Sequence, residues 1–86
     1  MKEWSVYLVK CSDNSLYCGV TNNFENRLRK HNEGTASKYT RARLPVELAA
    51  IRNNLTKNEA YKIEYQIKKI PAEKKITALE DWNFSK

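Results

Sequence analysis

Two short runs of β-branched and aromatic residues open the chain: Trp4 to Lys10 (Trp-Ser-Val-Tyr-Leu-Val-Lys) and Leu16 to Thr21 (Leu-Tyr-Cys-Gly-Val-Thr). The turn formers Ser12-Asp13-Asn14-Ser15 lie between them, a pattern that predicts a β-hairpin. The period then lengthens. Phe24, Arg27, Leu28 and His31 fall at i, i+3, i+4 and i+7, and predict a helix from about Asn23 to Glu33. Asn22 with Glu25 three residues on supplies its cap, and Gly34 closes it in a left-handed conformation. Thr35 to Leu44 shows no period and is rich in Ser, Thr, Lys and Arg, so it reads as an exposed loop of the kind that often carries function. Pro45 to Asn53 reads as a third strand entering at a sheet edge. Thr56-Lys57-Asn58-Glu59 is a capping box opening a second helix to about Ile70, and Pro71 suits the first turn of a third, to about Glu80. The expected order is ββαβαα: an α+β fold with a small three-stranded antiparallel sheet flanked by helices, one domain over 1–86, without repeats.

Several polar residues break the apolar faces. If Lys10 lies opposite Leu16, then Tyr7, Tyr17 and Gly19 project from one sheet face, with Gly19 leaving space beside Tyr7. A slip of one residue would separate the tyrosines. Arg27 and His31 share the stripe that Phe24 and Leu28 must bury. Ala60, Ile63, Glu64 and Ile67 repeat that spacing and place a carboxylate among apolar neighbours, which is costly unless a cation, a metal or donors pair with it. Each has an ordinary reading when taken alone. Arg27 can snorkel from the stripe's edge, Glu64 can sit in a salt bridge or at an edge, and tyrosines pack well in strands. As a set, two tyrosines, an arginine, a histidine and a lone carboxylate suit metal-assisted attack on a phosphate.

Charge sharpens this picture. The formal net charge is +6 on 86 residues, favouring a polyanionic partner. Arg27, Arg29, Lys30, Lys38, Arg41 and Arg43 face one acid, Glu33, between positions 27 and 43, so five of the six net charges fall in that stretch. Tyr39 stands among these cations as a ring able to stack on a base while the cations meet phosphates. No apolar run approaches the roughly 20 residues of a membrane span, and Met1-Lys2-Glu3-Trp4 lacks the apolar stretch of a signal peptide, so a cytoplasmic protein without membrane contact is expected. Cys11 and Cys18 fit neither a CxxC pair nor a four-ligand zinc site and read as plain thiols, Cys18 being buried.

The chain resembles the GIY-YIG nuclease superfamily from Trp4 to about Glu80, and most closely its short standalone bacterial members. Ser5-Val6-Tyr7 is similar to the first motif and Tyr17-Cys18-Gly19 to the second. Phe24-Glu25-Asn26-Arg27-Leu28-Arg29-Lys30-His31 is similar to the helix carrying the catalytic arginine. Lys38-Tyr39-Thr40-Arg41 and Leu44-Pro45-Val46 look like the loop and third strand of the short members, and Ala60-Tyr61-Lys62-Ile63-Glu64 like the segment bearing a metal-binding glutamate. There are two departures: Ser5 replaces the first glycine, and Val20 stands where many members have a lysine.

The resemblance implies a metal-dependent endonuclease. Tyr7 would take a proton from the attacking water, Tyr17 would orient water or phosphate, Arg27 would neutralise phosphoryl oxygens and His31 would bind phosphate or assist proton transfer. Glu64 would hold Mg²⁺ or another divalent cation such as Mn²⁺. Lys38, Tyr39, Arg41 and Arg43 would contact nucleic acid, with DNA ahead of RNA. The alternative is a non-catalytic nucleic-acid-binding module of the same fold.

Overall fold

The computed structural model describes residues 2–82. The hairpin forms as its pattern predicts. Strand β1 (Trp4–Lys10) pairs antiparallel with β2 (Leu16–Thr21), with Lys10 opposite Leu16 and Tyr7 opposite Gly19. Its turn closes through Cys11 N–H donating to the Ser15 carbonyl at 2.9 Å and Asn14 N–H donating to the Cys11 carbonyl at 3.0 Å. Asn14 takes a φ of 68°, the left-handed region that asparagine tolerates better than most residues. Strand β3 (Glu47–Leu55) adds to the other side of β1, giving the order β2-β1-β3 with β1 central.

Because β1 is central, Ser5 to Val9 are all buried, and their alternation feeds two separate cores. Val6 and Leu8 join Cys18, Ala50, Leu55, Ala60, Ile63, Ile67 and Leu79 beneath helices α3 (Lys57–Ile67) and α4 (Ala72–Glu80). Tyr7 and Val9 join Cys11 and Val46, with Phe24 and Leu28 of helix α1 (Phe24–Asn32) packed against them. Each fully buried Leu or Ile contributes roughly 1.5–3 kcal/mol. Both cysteines are buried free thiols.

The caps explain the boundaries. Asn23, not Asn22, is the N-cap of α1: its side chain accepts from Asn26 N–H at 3.1 Å, while Thr21 Oγ1 accepts from Asn23 N–H. Gly34 follows the helix at φ 81°, as expected. Thr56 and Glu59 form the reciprocal capping box of α3. That helix ends at Ile67, earlier than its pattern suggests, where Lys75 Nζ reaches across from α4 to the Ile67 carbonyl at 2.7 Å. Pro71 stands at the N-cap of α4 rather than inside its first turn. Strand β3 begins two residues later than Pro45, which follows a cis peptide bond after Leu44.

The segment expected to be an exposed loop holds a short helix instead, α2 (Lys38–Arg41), capped by the Ser37 side chain accepting from Tyr39 N–H. One helical turn is too short to show a period in sequence. Its Thr40 is fully buried. Asn32 ties the end of α1 to the residue before β3 by donating to the Val46 carbonyl at 3.1 Å and accepting from Val46 N–H at 2.8 Å. That clamp fixes α1 against the sheet face that carries Tyr7. Among the described residues, no helix is long and apolar enough to cross a membrane.

Candidate active site

Tyr7 points from the middle of β1 toward α1, its ring tilted against Phe24 at 5.3 Å and edge-on to His31 at 5.7 Å. Gly19, directly opposite on β2, has no side chain because there is no room for one: a Cβ there would overlap the Tyr7 hydroxyl and ring. The Tyr7 hydroxyl lies 2.8 Å from Nε2 of His31, and Nδ1 of His31 lies 2.8 Å from Oγ1 of Thr40. The Thr40 hydroxyl donates to the Ser37 carbonyl at 3.3 Å. Its oxygen is then left to accept from Nδ1–H, which assigns the bare lone pair to Nε2 and makes Tyr7 O–H the donor to it.

The electrostatics agree with that assignment. Burial, and then the Arg27 guanidinium one helical turn away, hold the His31 pKa below its ordinary value, so the ring is neutral at neutral pH. Burial, followed by the nearby Tyr17, raises Tyr7 above the usual phenol range; Arg27 opposes this, and the Glu64 carboxylate adds to it. Tyr7 therefore carries its proton, and a neutral acceptor for that proton is already hydrogen-bonded to it.

Tyr17 sits beside this pair, edge-on to His31 at 5.4 Å and stacked on Tyr39 of α2 at 5.9 Å. Arg43 covers Tyr39 with its guanidinium 3.9 Å from the ring centre, donates to the Tyr39 carbonyl at 2.9 Å and pairs with Asp13 at 3.0 Å. Arg43 is thus built into a brace running from the hairpin turn to α2, unlike Lys38 and Arg41, which are exposed on the same segment. Arg27 is half-buried, and the described residues give it no ion-pair partner.

Glu64 comes from the other side of the sheet, on α3, yet its charge is felt at both Tyr7 and Cys18. Burial and then Glu64 push the Cys18 thiol up to about 12, which keeps it inert. The Glu64 side chain is 19% exposed and pairs with the more open Lys68 at 3.2 Å. Among the described residues, no group of three or more His, Cys, Asp or Glu gathers to hold a metal. A single carboxylate with an open side fits a hard cation that keeps most of its waters, and does not fit zinc.

The structure brings Tyr7, Tyr17, His31 and Tyr39 into ring contact, sets Arg27 and Glu64 within electrostatic reach, and leaves Lys38 and Arg41 at the rim. Sequence reasoning missed Thr40 and Ser37, which fix the imidazole. The only signal for them was a threonine and a serine in a stretch without period.

The chain matches known proteins along most of its length. The GIY-YIG catalytic domain matches residues 3–77. The chain belongs to the GIY-YIG family. It is 45% identical over 80 residues to the UPF0213 protein YazA of Bacillus subtilis, covering 93% of this chain and 81% of that one. It is also 45% identical over 76 residues to a UPF0213 protein of Nitratidesulfovibrio vulgaris, covering 88% and 69%. A solution NMR structure of an E. faecalis protein superposes with a TM-score of 0.62 at 35% identity over 93% of this chain and 88% of that one. A UPF0213 protein of Bacillus halodurans, also solved by solution NMR, gives 0.55 at 36% identity over 90% and 82%.

Proposed function

We propose that this protein is a divalent-metal-dependent endonuclease that hydrolyses phosphodiester bonds in nucleic acid, with DNA as the substrate. The observation that carries this reading is the hydrogen bond between the Tyr7 hydroxyl and the neutral His31, next to a half-buried arginine that has no ion-pair partner among the described residues. A buried hydroxyl–imidazole pair beside an uncompensated cation is the machinery for moving a proton next to an anion.

Arg27 receives the scissile phosphate and neutralises charge developing on its oxygens. A water held against Tyr7 Oη gives its proton to that oxygen as the phenolic proton passes to His31 Nε2. A phenolate never has to stand alone in a site that disfavours it. Thr40 and Ser37 keep Nδ1 protonated and Nε2 ready to accept. The Tyr17 hydroxyl orients the water or a phosphate oxygen. Glu64 would hold a Mg²⁺ or Mn²⁺ ion, which supplies charge stabilisation at the leaving oxygen when bound. Lys38, Arg41 and Tyr39 extend the binding surface along the substrate. Val20 stands where many GIY-YIG nucleases have a lysine, and in this reading His31 takes the role of proton acceptor.

The binding-module reading has specific support in the near-complete burial of Tyr7 and in the pairing of Glu64 with Lys68. Incubating the protein with labelled DNA and RNA duplexes, flaps, junctions and single strands, with Mg²⁺, Mn²⁺ or chelator, separates the two. Metal-dependent cleavage that is lost in Tyr7→Phe establishes the nuclease. Binding to these substrates with no cleavage of any establishes the module.

A further inference from the structure

Helix α3 buries Ala60, Ile63 and Ile67, while its opposite face stays in solvent and carries the two most exposed large hydrophobic residues among those described, Tyr61 at 47% and Tyr65 at 61%. Spaced four residues apart, they lie one above the other on one face, with their Cα atoms about 6 Å apart. Burying neither ring leaves a large apolar area in water, an arrangement that calls for a partner with flat apolar surfaces.

The charged residues that stand fully exposed around the two rings are of one sign. From Lys57 to Lys69 the exposed residues are Lys57, Asn58, Tyr61, Lys62, Tyr65, Gln66, Lys68 and Lys69, with no exposed carboxylate among them. Glu59 is tied into the capping box and Glu64 is paired with Lys68. The rings are also held in place. Trp4 leans against Tyr61 at 6.2 Å with Lys57 over its indole, and Lys69 lies 4.0 Å from the centre of the Tyr65 ring. Aromatic platforms set among lysines are how proteins hold single strands, because unpaired bases have free faces to stack while the cations follow the phosphates. A duplex offers no free base faces along its length.

The face shares its helix with one residue of the candidate site, while Tyr7 and His31 lie across the sheet. Glu64 is the neighbour of Tyr65 in sequence and lies one turn beyond Tyr61 on the same helix. We propose that the exposed face of α3, with Tyr61 and Tyr65 as stacking platforms among Lys57, Lys62 and Lys69, binds a single-stranded extension of the nucleic-acid substrate. This rests on the nuclease reading above for the identity of the substrate. It adds a preference for duplexes that end in, or are interrupted by, an unpaired strand.

The test measures binding of the full chain to a labelled DNA duplex, either blunt or carrying an oligothymidine tail, by fluorescence anisotropy in chelating buffer. The wild type should favour the tailed duplex. Tyr65→Ala should reduce that advantage by about 10-fold, the worth of one lost stacking contact. Tyr65→Phe should keep it, and Tyr61→Ala with Tyr65→Ala should erase it with affinity for the blunt duplex unchanged. Both rings are exposed enough that folding should survive, and circular dichroism checks this. Equal wild-type affinity for both duplexes would overturn the proposal, as would an undiminished tail preference in the double variant. A change in oligomeric state with no change in binding would assign the face to a second copy and overturn it as well. The two readings fail separately. Cleavage of the blunt duplex without a tail preference would leave the nuclease and remove the α3 site. Tail binding through the tyrosines without any metal-dependent cleavage would do the reverse.

Discussion

The Tyr7 hydroxyl and Nε2 of His31 lie 2.8 Å apart with both side chains buried, so each satisfies a polar atom that the other would otherwise leave stranded. Tyr7→Phe removes the oxygen and keeps the ring. Leaving Nε2 without a partner should cost about 1–3 kcal/mol, seen as a lower urea midpoint. Cleavage should fall by about 10²-fold or more, the range for losing a positioned acid or base. Wild-type turnover by this variant would remove Tyr7 from the mechanism.

His31 gives the pH dependence a definite sign. Its folded pKa is depressed by burial and by Arg27, so below its unfolded value of about 6.5 the unfolded state binds the proton that the native state resists. Stability should be complete above that pH and decline as pH falls below it, on the way to the lower folded value. Asp13 and Glu59, whose pKa values are also lowered, contribute only to a later loss, below about pH 4. Cleavage should hold further down and decline only as pH falls through the lowered folded value, because an imidazolium cannot accept the Tyr7 proton. In His31→Gln the decline in stability that begins below about pH 6.5 should disappear from denaturant titrations.

Gly19→Ala tests the close approach across the hairpin. The new methyl group would occupy the place of the Tyr7 hydroxyl, and the buried ring has packed neighbours on its far side. Overpacking of this kind costs about 1–3 kcal/mol. A thermal melt should show the loss, together with weaker cleavage as Tyr7 is pushed off His31. An unchanged melting temperature would mean that the tyrosine has another place to go.

Glu64→Gln distinguishes a structural ion pair from a metal ligand. Its partner Lys68 is 54% exposed and lies one turn away, and such pairs contribute about 0.3–0.5 kcal/mol. The variant should therefore fold with nearly unchanged stability in metal-free buffer, lose Mg²⁺-dependent cleavage, and keep or strengthen nucleic-acid binding. Removing this charge should also lower the pKa values of Tyr7 and Cys18, and the Cys18 change is readable by thiol titration. A cost of about 3 kcal/mol or more would identify a structural pair and end the metal assignment.

The basic segment should divide into two functions. Lys38→Ala with Arg41→Ala should shallow the plot of log affinity against log salt by up to about 0.9 per lost phosphate contact on duplex DNA. Arg43→Ala should instead loosen α2, because it frees Asp13 and uncovers Tyr39, and it should appear first as lost stability. An Arg43 effect on the salt slope with no effect on stability would place that side chain on the phosphates after all.

Local chemistry determined much of this protein by itself. The β-branched and aromatic runs Trp4 to Lys10 and Leu16 to Thr21, with the turn residues between them, determined the hairpin, while the register that puts Gly19 against Tyr7 was one of those they allowed. The capping box at Thr56 and the left-handed Gly34 determined helix ends, because caps are interactions between residues a few positions apart. The helical spacing of Arg27 and His31 determined that both lie on the face of α1 turned to the sheet. What only the tertiary structure decided depends on contacts between distant segments. It buried β1 on both sides and split the core in two, so that Glu64 acts on Tyr7 from a helix on the opposite face of the sheet. It folded the aperiodic stretch after Thr35 into a turn of helix that puts Thr40 behind His31, and so decided which imidazole nitrogen faces Tyr7. It drew Arg43 onto Asp13, 30 residues away, and out of the set of free cations. Hydropathy and turn chemistry act over a few residues, whereas proton positions, burial and ion pairs depend on which segments pack together, and that is settled only when the chain closes on itself.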